Sequence, residues 1–129
     1  MIKSGCKILI VEDENIARMY LKTILSKTIK EIYTASNGKE GLELFVKIKP
    51  DLIITDLEMP IMDGIEMVKQ IRKTNMKIPI IVTTAYNDDE HKIDNVQGRV
   101  LKPIIINEMI SKINDLLHLN KFWLKKINK

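Results

Sequence analysis

Four stretches of this chain place acids, hydroxyls or a lysine directly after an apolar run. They are Val11-Glu12-Asp13-Glu14, Thr55-Asp56-Leu57-Glu58, Thr83-Thr84-Ala85 and Leu101-Lys102-Pro103. Gathered at one edge of a fold, these residue types suit the handling of a phosphoryl group. Two carboxylates about 4 Å apart repel by roughly 4 kcal/mol at an effective dielectric of about 20. Glu12, Asp13 and Asp56 therefore call for a cation among them. All-oxygen ligands with no His or Cys nearby favour a hard ion, and Mg²⁺ takes one or two carboxylates with waters and phosphate oxygens. Lys102 offers a compact positive charge to phosphate oxygens. Thr84 offers a hydroxyl that can donate to the same group. Asp56 is the candidate nucleophile, since carboxylates form acyl phosphates in some phosphoryl transfers. Metal, lysine and hydroxyl would then stabilise the equatorial oxygens of the transition state. Taken alone, Glu12 and Asp13 read better as acids at the start of a helix; it is the company of Asp56 and Lys102 that favours a site.

The elements that must position these residues alternate along the chain. Lys7–Val11 is a short, β-rich apolar run. Asn15–Ser26 follows, with Ile16, Met19, Tyr20 and Ile24 at helical spacing. Ile29–Ala35 predicts a second strand, closed by Asn37-Gly38. Lys39–Lys47 predicts a helix with Leu42, Phe45 and Val46 on one face. Pro50 precedes a third strand, Leu52–Thr55. Pro60 and Gly64 bracket a turn to which Asp63 belongs, and Ile65, Val68 and Ile71 mark the next helix. Ile80–Thr83 reads as a fourth strand. Residues 87–97 are polar and predict a short helix at best. Val100–Leu101 is a brief fifth strand, and a long helix starts near Asn107 with Met109, Ile110, Ile113, Leu116 and Leu117 inward. Five β-α units with near-continuous apolar strands predict an α/β fold, a parallel sheet buried on both faces. Right-handed crossovers make it doubly wound. Ligands of such sheets bind beyond the carboxyl ends of the strands, where strand order reverses.

Composition limits the function classes. A chain of 129 residues fits one domain able to bury its own core. Its 45% hydrophobic and 29% charged residues suit a soluble globular protein, and no apolar run is long enough to span a bilayer. One cysteine, Cys6, cannot pair within the chain, so a cytoplasmic setting is expected; it reads as a small strand residue. The net charge of +4 resides in Lys121, Lys125, Lys126 and Lys129, and the rest of the chain is balanced. That argues against a nucleic-acid-binding body. The same tail carries Phe122, Trp123 and Ile127. His91 and His118 read as surface residues, and the seven methionines as core filling.

The segments ILIVEDE (8–14), DLIITDLEMPIMDGIEMVKQIR (51–72), IPIIVTTA (78–85) and LKP (101–103) resemble the receiver domain of two-component response regulators. The resemblance covers roughly residues 6–120. It implies a flavodoxin-like strand order 2-1-3-4-5, with residues 1–120 as the domain and 121–129 as a basic tail or the start of a linker. It implies Asp56 as phosphoacceptor, Asp13 as a direct Mg²⁺ ligand, Glu12 acting through water and the Glu58 backbone carbonyl as a further ligand. Thr84 becomes the switch hydroxyl and Lys102 the phosphate contact. The implied donor is a phosphohistidine on a sensor histidine kinase or phosphotransfer protein. The implied output is a linked domain, a downstream protein or a phosphorylation-linked homodimer. Enzymatic turnover of outside substrates is not implied.

Three positions depart from that pattern. Glu12 stands where aspartate is frequent. Arg99 stands three before the lysine, where the family often has Tyr or Phe. The Thr84–Lys102 interval is shorter by about four residues, roughly one helical turn. The last two fall on the usual signalling face, which keeps a phosphate-independent binding platform as one alternative. An aspartate-nucleophile phosphatase is the other, although Glu58 sits where such enzymes place a second aspartate. Glu58 and Tyr86, two residues beyond Asp56 and Thr84, are expected to flank the path of a water attacking the phosphoryl group.

Overall fold

The apolar runs become strands in the computed structural model, which describes residues 3–86 and 93–117. In chain order the elements are β1 (Lys3–Val11), α1 (Asn15–Leu25), β2 (Ile29–Ala35), α2 (Gly38–Ile48), β3 (Leu52–Asp56), α3 (Gly64–Thr74), β4 (Ile80–Thr84), β5 (Gly98–Leu101) and α4 (Ile106–Leu116). All four strand pairs are parallel, in the order β2-β1-β3-β4-β5. The flavodoxin-like order is thus the observed one. Strand order reverses between β1 and β3, so the crevice for a ligand opens at their carboxyl ends.

Alternation along the buried strands sends side chains to two separate cores. Ile8, Ile10, Leu52, Ile54, Ile81 and Val100 pack with Leu21 and Leu25 of α1 and Met109 and Ile113 of α4. Leu9, Val11, Ile53, Ile80 and Val82 pack on the other face with Phe45 of α2 and Met67, Val68 and Ile71 of α3. Burying both faces explains why β3 and β4 read as unbroken apolar runs rather than alternating ones. Helix starts carry their own signals. Asn37 Oδ1 accepts from the Glu40 N–H, and Asp63 Oδ1 accepts from the Glu66 N–H, both at 2.9 Å.

Two helical faces differ from the expectation. On α1 the buried residues are Leu21 and Leu25, whereas Ile16, Met19 and Tyr20 are largely exposed. On α2, Val46 faces solvent and Phe45 the core. Apolar spacing located the helices but did not decide which apolar stripe meets the sheet. The methionines divide likewise: Met67 and Met109 are core, Met19 and Met76 surface. Cys6 is buried in β1 as expected.

The predicted short helix over 87–97 is corrected for its second half. Residues 93–97 are irregular, and residues 87–92 lie outside the described residues, as do His91, His118 and the basic tail. Asn95 takes the left-handed conformation, φ 64°, which interrupts any helix there. Arg72 of α3 secures this segment. Its Nε donates to the Asn95 carbonyl at 2.9 Å, Nη1 to the Asn75 carbonyl at 3.1 Å and Nη2 to Gln97 Oε1 at 3.0 Å. Gln97 Oε1 also accepts from the Ile80 N–H at 2.8 Å, so one network ties α3, β4 and the approach to β5. Burial works against the Arg72 charge and pushes its pKa down, which makes these three acceptors necessary. Arg72→Met, with a similar stem and no donors, is expected to lose about 2–4 kcal/mol. A urea midpoint equal to wild type would show that the network contributes nothing.

Candidate functional site

Register aligns the four chemical stretches. Val11 pairs with Thr55, Asp56 with Thr83, and Thr84 with Leu101. Glu12, Asp56, Thr84 and Lys102 therefore emerge side by side at the carboxyl edge, across the reversal point. A cleft of about 240 Å³ lies there, lined by Asp13, Asp56, Glu58, Thr84, Tyr86 and Lys102 among others. Every residue singled out from the sequence as a candidate site residue is thus at one place, with Glu12 buried beside it.

One carboxylate oxygen from each of Glu12, Asp13 and Asp56 lies within 4.8 Å of the others. Lys102 Nζ donates to Asp56 Oδ2 at 2.8 Å and to Glu12 Oε1 at 3.0 Å. The remaining oxygens are held by backbone. The Leu57 N–H donates to Asp56 Oδ1 at 2.7 Å, and the Glu14 N–H to Glu12 Oε2 at 3.1 Å. Burial pushes the Glu12 carboxyl up, and the Asp56 charge adds to it, against the pull of the Glu14 amide and Lys102. Burial also opposes the Lys102 ammonium, but its bonds to Asp56 and Glu12 outweigh that and leave its pKa above the usual lysine value. Three carboxylates face a single ammonium, an excess of acidic oxygens that a divalent cation would balance. Oxygen-only donors suit Mg²⁺ in particular.

Two further residues support the site: Arg18, which nothing in the sequence singles out, and Gly64, which the sequence marks only as part of a turn. Arg18, one turn into α1, donates from Nη1 to the Glu12 carbonyl at 2.8 Å and to the Asp13 carbonyl at 3.4 Å, which fixes the acidic loop. Gly64 lets α3 start against the site. A Cβ there would lie 2.1 Å from the Asp56 carbonyl oxygen, and the Gly64 N–H donates to the Leu57 carbonyl at 2.8 Å. Glycine before a helical pattern signalled a turn, but only the fold shows what approaches it. Neither Glu12 nor Asp13 is the N-cap of α1: that position is Glu14, whose side chain makes no capping hydrogen bond.

A doubly wound sheet of this order, with carboxylates and a lysine meeting at the reversal point, defines the class of flavodoxin-like signal receivers. The chain belongs to the response regulator receiver domain family, whose sequence profile matches residues 8–114. It is 32% identical to the chemotaxis protein CheY of Thermotoga maritima, over 85% of this chain and 96% of that protein. It is 36% identical to part of the sensor histidine kinase TmoS of Ectopseudomonas mendocina, over 86% of this chain and 12% of the length of that protein. Among solved structures, the N-terminal domain of an uncharacterized protein, WS1339, from Wolinella succinogenes superposes with a TM-score of 0.82 at 34% identity. It covers 97% of this chain and 100% of that one. The protein is therefore a receiver domain of the two-component type, and no finding favours the binding-platform or phosphatase alternatives over it.

Proposed function

We propose that Asp56 is the phosphoryl acceptor of this receiver and that a phosphohistidine on a sensor kinase or phosphotransfer protein is its donor. The observation that carries the proposal is the Lys102 ammonium bridging Asp56 and Glu12 beside Asp13, at the reversal point of the sheet. An Asp56 carboxylate oxygen attacks phosphorus, the bond from phosphorus to the donor imidazole nitrogen breaks, and an acyl phosphate remains. Lys102 shifts its donors from the carboxylate to the incoming phosphoryl oxygens. Thr84 donates its hydroxyl proton to another of them. The Leu57 N–H holds the Asp56 side chain during attack.

Glu12, Asp13, Asp56 and the Glu58 backbone carbonyl form the set that would hold Mg²⁺, with Glu12 acting through water. When bound, the ion neutralises charge on the phosphoryl oxygens as transfer proceeds. Glu58 and Tyr86 line the cleft and flank the approach of a hydrolytic water. The domain turns over no outside substrate and forms and loses only its own acyl phosphate. We assign it residues 1–120, with 121–129 as a basic tail or the start of a linker to an output domain. Signalling through a downstream protein or a phosphorylation-linked homodimer remains compatible with that arrangement. No helix among the described residues is long and apolar enough to cross a membrane, and we place the domain in the cytoplasm, where kinase and phosphate donor meet it.

A beryllium fluoride phosphoryl mimic tests the set as a whole. Its binding, followed by amide shifts, is expected with Mg²⁺ and expected to vanish when a chelator removes the ion. Equal binding in both conditions would contradict the assignment of the carboxylates.

A further inference from the structure

The carboxyl end of β4 is held by a run of hydrogen bonds that begins on β5. Arg99 lies opposite Val82 in the β4–β5 ladder, and its Nη2 donates to the Tyr86 backbone carbonyl. The Tyr86 N–H in turn donates to Thr84 Oγ1 at 3.1 Å. Thr84 is 2% exposed and faces the same cleft as Asp56 and Lys102. A hydroxyl oxygen that accepts from an amide keeps its own proton available to donate. The direction of that proton is then set by where the Tyr86 amide sits. Arg99 Nε is buried and makes no hydrogen bond, so among the described residues the Tyr86 carbonyl is what orients this guanidinium. A charged donor grips a carbonyl more firmly than a neutral one.

We propose that Arg99 is a positioning residue for phosphoryl uptake: by holding the Tyr86 carbonyl it seats the Tyr86 amide on Thr84 Oγ1 and so presents the Thr84 O–H to the phosphoryl group on Asp56. Arg99 touches no reacting atom and acts only through the Tyr86 backbone and Thr84. The inference rests on the reading of Asp56 as acceptor, and it assigns a task to a side chain that departs from the family pattern.

The test is a double-mutant cycle on the initial rate of modification by acetyl phosphate with Mg²⁺. Arg99→Met is expected to slow wild type by about three- to tenfold, the scale of one hydrogen bond. In a Thr84→Ala background the same change is expected to matter by less than about twofold, because the relay has lost its end. Arg99→Lys keeps a charged donor and is expected to recover more than half of the loss. Urea midpoints measured in parallel show whether each variant is folded, and Arg99→Gln replaces Arg99→Met in the cycle should the latter unfold. A wild-type rate in the arginine variant overturns the proposal. So does an equal factor in both backgrounds, or a lysine variant no better than methionine. Wild type that takes up no phosphoryl group at all would instead remove the reading of Asp56, which separates the two failures.

Discussion

Asp56→Asn is expected to take up no phosphoryl group from acetyl phosphate and Mg²⁺, a fall on the order of 10³-fold or more. The substitution keeps the shape of the side chain. It also keeps an oxygen that can accept from the Leu57 N–H, now at 2.7 Å. The variant should therefore fold, and its sheet register should stand. What it lacks is the anionic nucleophile and one of the two partners of Lys102, whose other bond, to Glu12 at 3.0 Å, remains. Intact mass after incubation is the readout. Uptake near the wild-type rate would mean that Glu12 or Asp13 accepts the group and that Asp56 only shapes the site.

Lys102→Ala is expected to separate two properties that a general loss of structure would move together. Phosphoryl uptake should fall by about 10²-fold, the scale of removing one preorganised donor. Mg²⁺ should bind more tightly, because the competing ammonium no longer compensates Asp56 and Glu12. Without Mg²⁺ the variant should be less stable, since two poorly solvated carboxylates lose their shared partner; with Mg²⁺ much of that loss should return. In wild type the pKa of Lys102 is raised on folding. Its contribution is therefore complete below the usual lysine value and is lost only as pH climbs through the raised one, so it is intact throughout the neutral range. Titration with Mg²⁺ by calorimetry, beside the phosphorylation rate, reads both effects. A fall in both would contradict the view of Lys102 as counter-charge and phosphate contact.

Much of this site was legible in the sequence, for a physical reason. Strands buried on both faces are unbroken apolar runs, so their ends are visible as the points where acids, threonine and lysine begin. Parallel pairing then brings those ends to one edge whatever the exact register. Glu12, Asp13, Asp56, Thr84 and Lys102 were found in this way. Faces of helices were less legible. α1 carries apolar residues on both its buried and exposed sides, and Leu21 and Leu25 are distinguished from Ile16 and Met19 only by what the sheet presents to them. Supporting contacts between distant residues were not legible at all. Nothing near Arg72 announces that its guanidinium will meet Asn95 and Gln97, because that meeting depends on how residues 93–97 cross the end of α3. Arg99 stood out as an unexpected type, but the backbone carbonyl it holds became visible only with the fold.

Localisation of the phosphoryl group decides whether Asp56 is the acceptor. Wild type incubated with acetyl phosphate and Mg²⁺ is reduced with borohydride, digested and mapped by mass spectrometry. A single modified residue, Asp56, is expected, with no modification when Mg²⁺ is removed. A label on Glu12, Asp13 or Glu58 in place of Asp56, or an unmodified Asp56 under conditions that modify a known receiver, would contradict this expectation.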